Sequence, residues 1–116
     1  MLVLVIIYIA KIMILYSYDG TAKATVEGSA DYTDIYHNAR NNIYAKDLVS
    51  KNARARVYYE GSVYVNTVNK LEALVDDFGS IYYNKEVKET CPVEGYSKII
   101  TDTPVPNSRG VFEPYN

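Results

Sequence analysis

The sequence has no tryptophan, and in 116 residues it has one cysteine, one histidine, two phenylalanines and four prolines. A lone Cys91 excludes an intramolecular disulfide and a cysteine-based zinc site, and it reads as a small half-buried apolar residue. With His37 the only histidine, no histidine-rich metal site can be built. Neither sign of charge prevails: 12 Lys and Arg stand against 14 Asp and Glu, for a net charge of −2. The balance also holds along the chain. Residues 1–50 carry four basic and five acidic side chains, and residues 51–116 carry eight and nine. No basic face for nucleic acid and no polybasic cluster for anionic lipid follows from such a pattern.

Chemistry-bearing motifs are equally scarce. Asp76-Asp77 adjoin on a segment read as helical and would point about 100° apart, which suits a solvated face better than a catalytic pair. Asp19-Gly20-Thr21 follows an apolar run, as a phosphate-cradling turn does, but lacks the glycine pattern of either nucleotide fingerprint. His37 falls among charged residues in helical phase and reads as solvated or packing. Near the end, "SRGVFEPY" offers Arg109 as a hydrogen-bonding fork with Phe112 and Tyr115 as apolar contacts, or else a tail packed on its own domain. The expectation is a protein that is not an enzyme and uses no cofactor or metal.

Tyrosine is plentiful, with 13 residues. It supplies large contact area with a polar tip, as in surfaces that are buried yet partly wet. Tyr8, Tyr16, Tyr18, Tyr32, Tyr36 and Tyr44 all fall in the first part of the chain. They read as interface packing.

The other abundance is at the front. Sixteen of the first 18 residues, "MLVLVIIYIAKIMILYSY", are apolar or aromatic, the exceptions being Lys11 and Ser17. The run is rich in β-branched residues and so is compatible with a buried strand. Length argues otherwise: one strand of 18 residues would span roughly 60 Å, and two would need a turn that nothing around Lys11 provides. A helix of that length is about 27 Å long and must be buried on every side. A bilayer would charge Lys11 about 2.5–3.5 kcal/mol near its centre. A secretory signal would need a basic start, and Met1-Leu2-Val3 is not one. A bundle of identical helices is the third environment open to it, with Lys11 reaching a carboxyl, a carbonyl or water between neighbours.

Beyond Asp19-Gly20, Ala22, Val26 and Ala30 are spaced by four, and so are Ile35, Ala39 and Ile43. Residues 2 to about 50 therefore read as one long helix, softened near Gly20 and Gly28 and on the order of 70 Å long. Residues 51–116 read as a small antiparallel β head. Residues 53–66 alternate around a hairpin turn at Glu60-Gly61-Ser62, and a second hairpin is expected around Asn84-Lys85, with a further strand over 95–101. Leu71, Leu74, Val75 and Phe78 fit a short amphipathic helix over 67–79. The tail is irregular, and no internal repeat is visible. The expected fold class is α+β.

A long N-terminal helix, apolar in its first third and followed by a small antiparallel head, resembles the type IV pilin-like proteins. Within them, "KIMILYSYDGTAKATVEGSADY" is similar to the TadE-like branch, where an apolar helix runs into an Ala-rich segment with an EGA/EGS element, here Glu27-Gly28-Ser29-Ala30. Val5 departs from the Glu usual at that place in pilins, leaving Lys11 as the candidate for setting helix register. The resemblance covers residues 1–50. It implies a membrane-inserted precursor and a structural subunit of an extracellular, cell-surface filament, a homopolymer of identical copies. The expected assembly interface is Leu2, Val5, Ile6, Ile9, Lys11, Ile12, Met13, Tyr16, Ala22, Val26 and Ala30. The alternatives are a small single-pass subunit of a membrane complex, or a soluble α/β binding protein whose first segment is a buried strand.

Overall fold

The computed structural model describes residues 3–18, 23–76, 78–93 and 110–115, with the backbone alone for 3–10 and 18. All its regular structure is strand: β1 (Val3–Tyr18), β2 (Lys23–Asn38), β3 (Asn42–Val57), β4 (Ser62–Val75), β5 (Ser80–Tyr83), β6 (Glu89–Pro92) and β7 (Val111–Pro114). Every pairing is parallel, in the order β1-β2-β3-β4-β5-β7, with β6 also on β4. Each long strand lies on the one that follows it, so that Val3 pairs with Lys23 and Asn42 with Ser62. The chain is a β-solenoid.

Parallel neighbours ordinarily need a crossover of a dozen residues or more. Here the strand is its own crossover. Sixteen residues at about 3.3 Å each would reach about 50 Å, yet the longest dimension of the molecule is 41 Å. The strands must bend, and the burial pattern shows where. In β2, Ala24, Val26 and Ala30 point inward, then Thr33, Ile35 and His37. The inward set changes from even to odd numbers across Asp31 and Tyr32, which is the corner between two straight arms. β3 changes in the same way across Lys51 and Asn52.

Stacking the coils builds the core in columns. Ile43, Val63 and Ile81 lie in register, as do Ile35, Ala55 and Ala73, and Thr33, Ala53 and Leu71. All of these are buried. Full burial of one such Val, Ile or Leu is worth about 1.5–3 kcal/mol, and the alanines bring the two arms close. Gly28 has a φ of 124°, a left-handed conformation that suits glycine, beside a register shift between Thr25 and Glu27.

These findings overturn the expected α+β fold. There is no helix among the described residues. The spacing by four that suggested a long helix over 2–50 is also a multiple of the strand period, and Val26, Ala30, Ile35 and Ile43 are inward residues of β2 and β3. The helix expected over 67–79 is mostly the second half of β4. There Leu71 and Val75 point inward with Ala73, while Phe78 is 41% exposed. The turn at Glu60-Gly61-Ser62 joins parallel coils and is not a hairpin; nor is the segment around Asn84-Lys85, since β5 pairs with β4 and β7. A repeat does exist: Ile43-Tyr44-Ala45, Val63-Tyr64-Val65 and Ile81-Tyr82-Tyr83 occupy one place in successive coils. Ser50 and Lys51 fall inside β3. The strand expected over 95–101 lies outside the described residues.

Candidate assembly edge and the faces beside it

The two ends of the coil stack differ. Among the described residues β1 pairs only with β2, so it is the edge strand at this end of the sheet, 16 residues long. Such an edge is a template for another strand unless it is short, charged, interrupted by proline or covered. β1 has no proline or glycine and a single charge, Lys11. At the other end β5, β6 and β7 are four residues each, and Pro92 and Pro114 remove a donor from β6 and β7.

The second arm of β1 is apolar on both faces. Ile12, Ile14 and Tyr16 are more than half exposed, on the outer face, in register with Tyr32, Asp34 and Tyr36. The Tyr16 ring meets that of Tyr36 edge-on at 5.8 Å. Met13 and Leu15, in register with Thr33 and Ile35, pack against the core yet stay half-buried, because β1 has a coil on one side only. Lys11 is exposed at the corner, between the pairs Ala10–Ala30 and Ile12–Tyr32 and hence level with Asp31. It is therefore not a buried ammonium in need of a partner. Asp31 bonds Lys51 in the next coil at 3.2 Å, so basic and acidic residues alternate along the corner.

The expected interface residues thus separate. Lys11, Ile12, Met13 and Tyr16 lie on the open end. Val5, Ile6 and Ile9 are in the first arm of β1, paired with Thr25, Val26 and Ser29. Val26 and Ala30 are buried in the core. Leu2 and Ala22, like Asp19-Gly20-Thr21, Asp77 and Arg109, lie outside the described residues.

Below the edge, the outer face of the second arm is held by charge. The Asp34 carboxylate, nearly buried, accepts from Arg54 at 2.9 Å and from Arg56 at 3.2 Å. The hydrogen bond to Asp34 holds the Arg54 guanidinium above its ordinary range. Burial pushes the nearby Tyr32 phenol up.

The first arm carries a tyrosine ladder. Tyr44, Tyr64 and Tyr82 stack at 5.0 and 4.8 Å, nearly parallel, with the Lys23 ammonium 4.9 Å above Tyr44. Their ring faces are turned on one another along the stack. Tyr83 and Phe112 stack at 4.5 Å, and the Tyr115 hydroxyl donates to the Val65 carbonyl at 2.8 Å. Phe112 and Tyr115 therefore pack on their own domain.

β3 departs from register between Ala45 and Val49, and a groove of about 470 Å³ opens there. Lys46, Asp47, Glu86 and Lys88 give it both signs of charge. Lys46 lies 4.4 Å over the Tyr115 ring, while Asn66 bridges to the Lys46 carbonyl at 3.1 Å. Among the described residues no three His, Cys, Asp or Glu side chains gather as for a metal ion. Cys91 is half-buried, and burial raises its thiol.

His37 is fully buried where β2 ends. Its Nε2–H donates to the Asn41 carbonyl at 2.6 Å, leaving Nδ1 unprotonated and without a partner among the described residues. Burial pulls its pKa below the ordinary value, and the bond to Asn41 offsets this in part. Of the two roles expected of His37, solvated or packing, its burial corresponds to packing.

No protein-family model, curated protein or solved structure matches the chain. No helix among the described residues is long and apolar enough to cross a membrane. The expectation of a pilin-like, helix-packed filament is corrected by the same fold: the segment expected as its apolar helix is a bent strand.

Proposed function

We propose that the chain is a structural module that assembles by strand addition to the open edge of β1. The contrast between the two ends carries this reading. A 16-residue edge with exposed Ile12, Ile14 and Tyr16 faces one way, and four-residue strands with prolines close the other. The surroundings support a structural role. The tyrosine ladder, the Asp34–Arg54–Arg56 cluster and the corner pair Asp31–Lys51 all bind coil to coil. Identical copies remain the proposed partners, joined by strands where the sequence suggested helices.

Sedimentation velocity over a range of concentrations tests the reading. The wild-type chain is expected to self-associate, and Ile12→Lys/Ile14→Lys is expected to stay monomeric with an unchanged β spectrum. A wild-type chain that stays monomeric throughout would remove the proposal.

A further inference from the structure

We infer that the partner at the β1 edge is a second copy of β1, antiparallel and related by a two-fold axis through the corner at Lys11 and Ile12. The inference rests on the proposed assembly through β1 and adds the identity and orientation of the occupant.

A bent strand can be paired along its whole length only by a strand that bends at the same place. β1 runs from Val3 to Tyr18, and its corner, level with Asp31 and Tyr32 of β2, lies near its middle. A two-fold axis along the bisector of the bend lays the first arm of one copy on the second arm of the other. The corners then coincide, and the interior of one solenoid continues into the interior of its partner. Among the described residues, head-to-tail stacking offers β1 only the four-residue strands of the far end.

The pattern of inward positions fits this axis. Positions of β1 in register with the inward residues of β2 are Leu4, Ile6 and Ala10 in the first arm, and Met13, Leu15 and Ser17 in the second; Asp34, buried on the outer face under its arginines, is level with Ile14. The first set is even and the second odd. An antiparallel alignment that sets Ala10 opposite Met13 also sets Ile6 opposite Ser17, core position against core position in each case. It leaves Lys11 opposite Ile12 at the corner. Met13 and Leu15, half-buried with a coil on one side only, gain a second coil. A two-fold contact of this kind closes as a dimer, whereas a head-to-tail contact would propagate.

The alignment has one cost, and the cost is a signature. The two copies of Lys11 come together beside the axis, where like charges are unfavourable. Head-to-tail stacking keeps the two copies of residue 11 apart.

The test uses full-length chains in a Cys91→Ser background. Ile12→Cys is expected to form an intermolecular disulfide with its own copy under mild oxidation, because residues 11 and 12 lie at the axis, within disulfide reach. Tyr16→Cys, further along the arm, is expected to give none. In a second arm, Lys11→Glu is mixed with wild type. The ratio of hetero-pair to homo-pairs is expected to exceed its statistical value by about two-fold. Association without the Ile12→Cys cross-link and without hetero-pair preference overturns the two-fold pairing and leaves assembly through β1 standing. So does a ladder of higher polymers. A chain that shows no association at all overturns both.

Discussion

Asn84 grips Thr67 by both of its backbone polar groups. Its Oδ1 accepts from the Thr67 N–H and its Nδ2 donates to the Thr67 carbonyl, each at 2.8 Å. Beside β4, β5 covers Ser62 to Tyr64 and β6 covers Lys70 to Ala73. Thr67 lies in the gap between them, fully buried. The side-chain amide stands in for the missing strand residue, with one donor and one acceptor. Asn84→Ala leaves both groups of Thr67 without these bonds, and each orphaned group costs about 1–3 kcal/mol. A fall in the urea midpoint of that size is expected. An unchanged midpoint would mean that water replaces the amide freely.

His37 makes stability depend on pH in one direction. Its folded pKa lies below the ordinary value because burial disfavours the imidazolium. Below about 6.5 the unfolded chain takes up a proton that the folded chain refuses. This contribution is complete above the unfolded pKa and is lost as pH falls toward the folded one. The urea midpoint is expected to drop between pH 7.5 and 5.5, with a smaller drop in His37→Leu. Equal slopes in the two proteins would show that His37 is not the group responsible.

Gly61 is the lid over that imidazole. A Cβ there would overlap the His37 ring and the Asn41 carbonyl. Gly61 also donates its N–H to the Ala39 carbonyl at 2.9 Å, so the turn cannot easily lift away. Gly61→Ala is expected to cost about 1–3 kcal/mol, as overpacking does. A Gly61→Ala/His37→Ala double variant is expected to recover part of the loss, the overlap with the Asn41 carbonyl remaining; strictly additive costs would show that the imidazole is no part of the clash.

Leu71 and Phe78 separate the strand from the helix expected at the same place. Leu71 is fully buried between Ala53 and Thr90, whereas Phe78 is 41% exposed. Leu71→Ala is expected to cost about 2–5 kcal/mol and Phe78→Ala much less. Thermal melts giving equal losses would favour an amphipathic helix with both residues on its buried side.

Part of this fold was legible in the sequence. The β-branched run at the front was compatible with a strand although its length was read as a helix, and the alternation over 53–66 captured the ends of two strands. The error lay in the period. Val26 and Ala30, or Ile35 and Ile43, fall on one face of a helix or of a strand alike, and the absence of proline did not separate the two. A strand longer than a usual domain was set aside because a corner needs no turn residues: Asp31 and Tyr32 make one simply by exchanging the inward parity. The repeat at Ile43-Tyr44, Val63-Tyr64 and Ile81-Tyr82 was missed, because the residues around these pairs differ from coil to coil. Of the expected interface, Lys11, Ile12, Met13 and Tyr16 could be named from their place in an apolar segment. The clamp of Asn84 on Thr67 and the pairing of Asp34 with Arg54 and Arg56 could not, since register alone brings them together.

Hydrogen exchange on β1 reads the assembly edge itself. In a parallel sheet alternate residues direct their N–H groups to opposite neighbours, so half of the β1 amides are bonded to β2 and half face the open edge. In dilute protein the edge-facing amides are expected to exchange quickly while their neighbours are protected. As concentration rises, those same amides should become protected, and Ile12→Lys/Ile14→Lys should abolish the change. Edge-facing amides that exchange at one fast rate at every concentration would contradict assembly through β1.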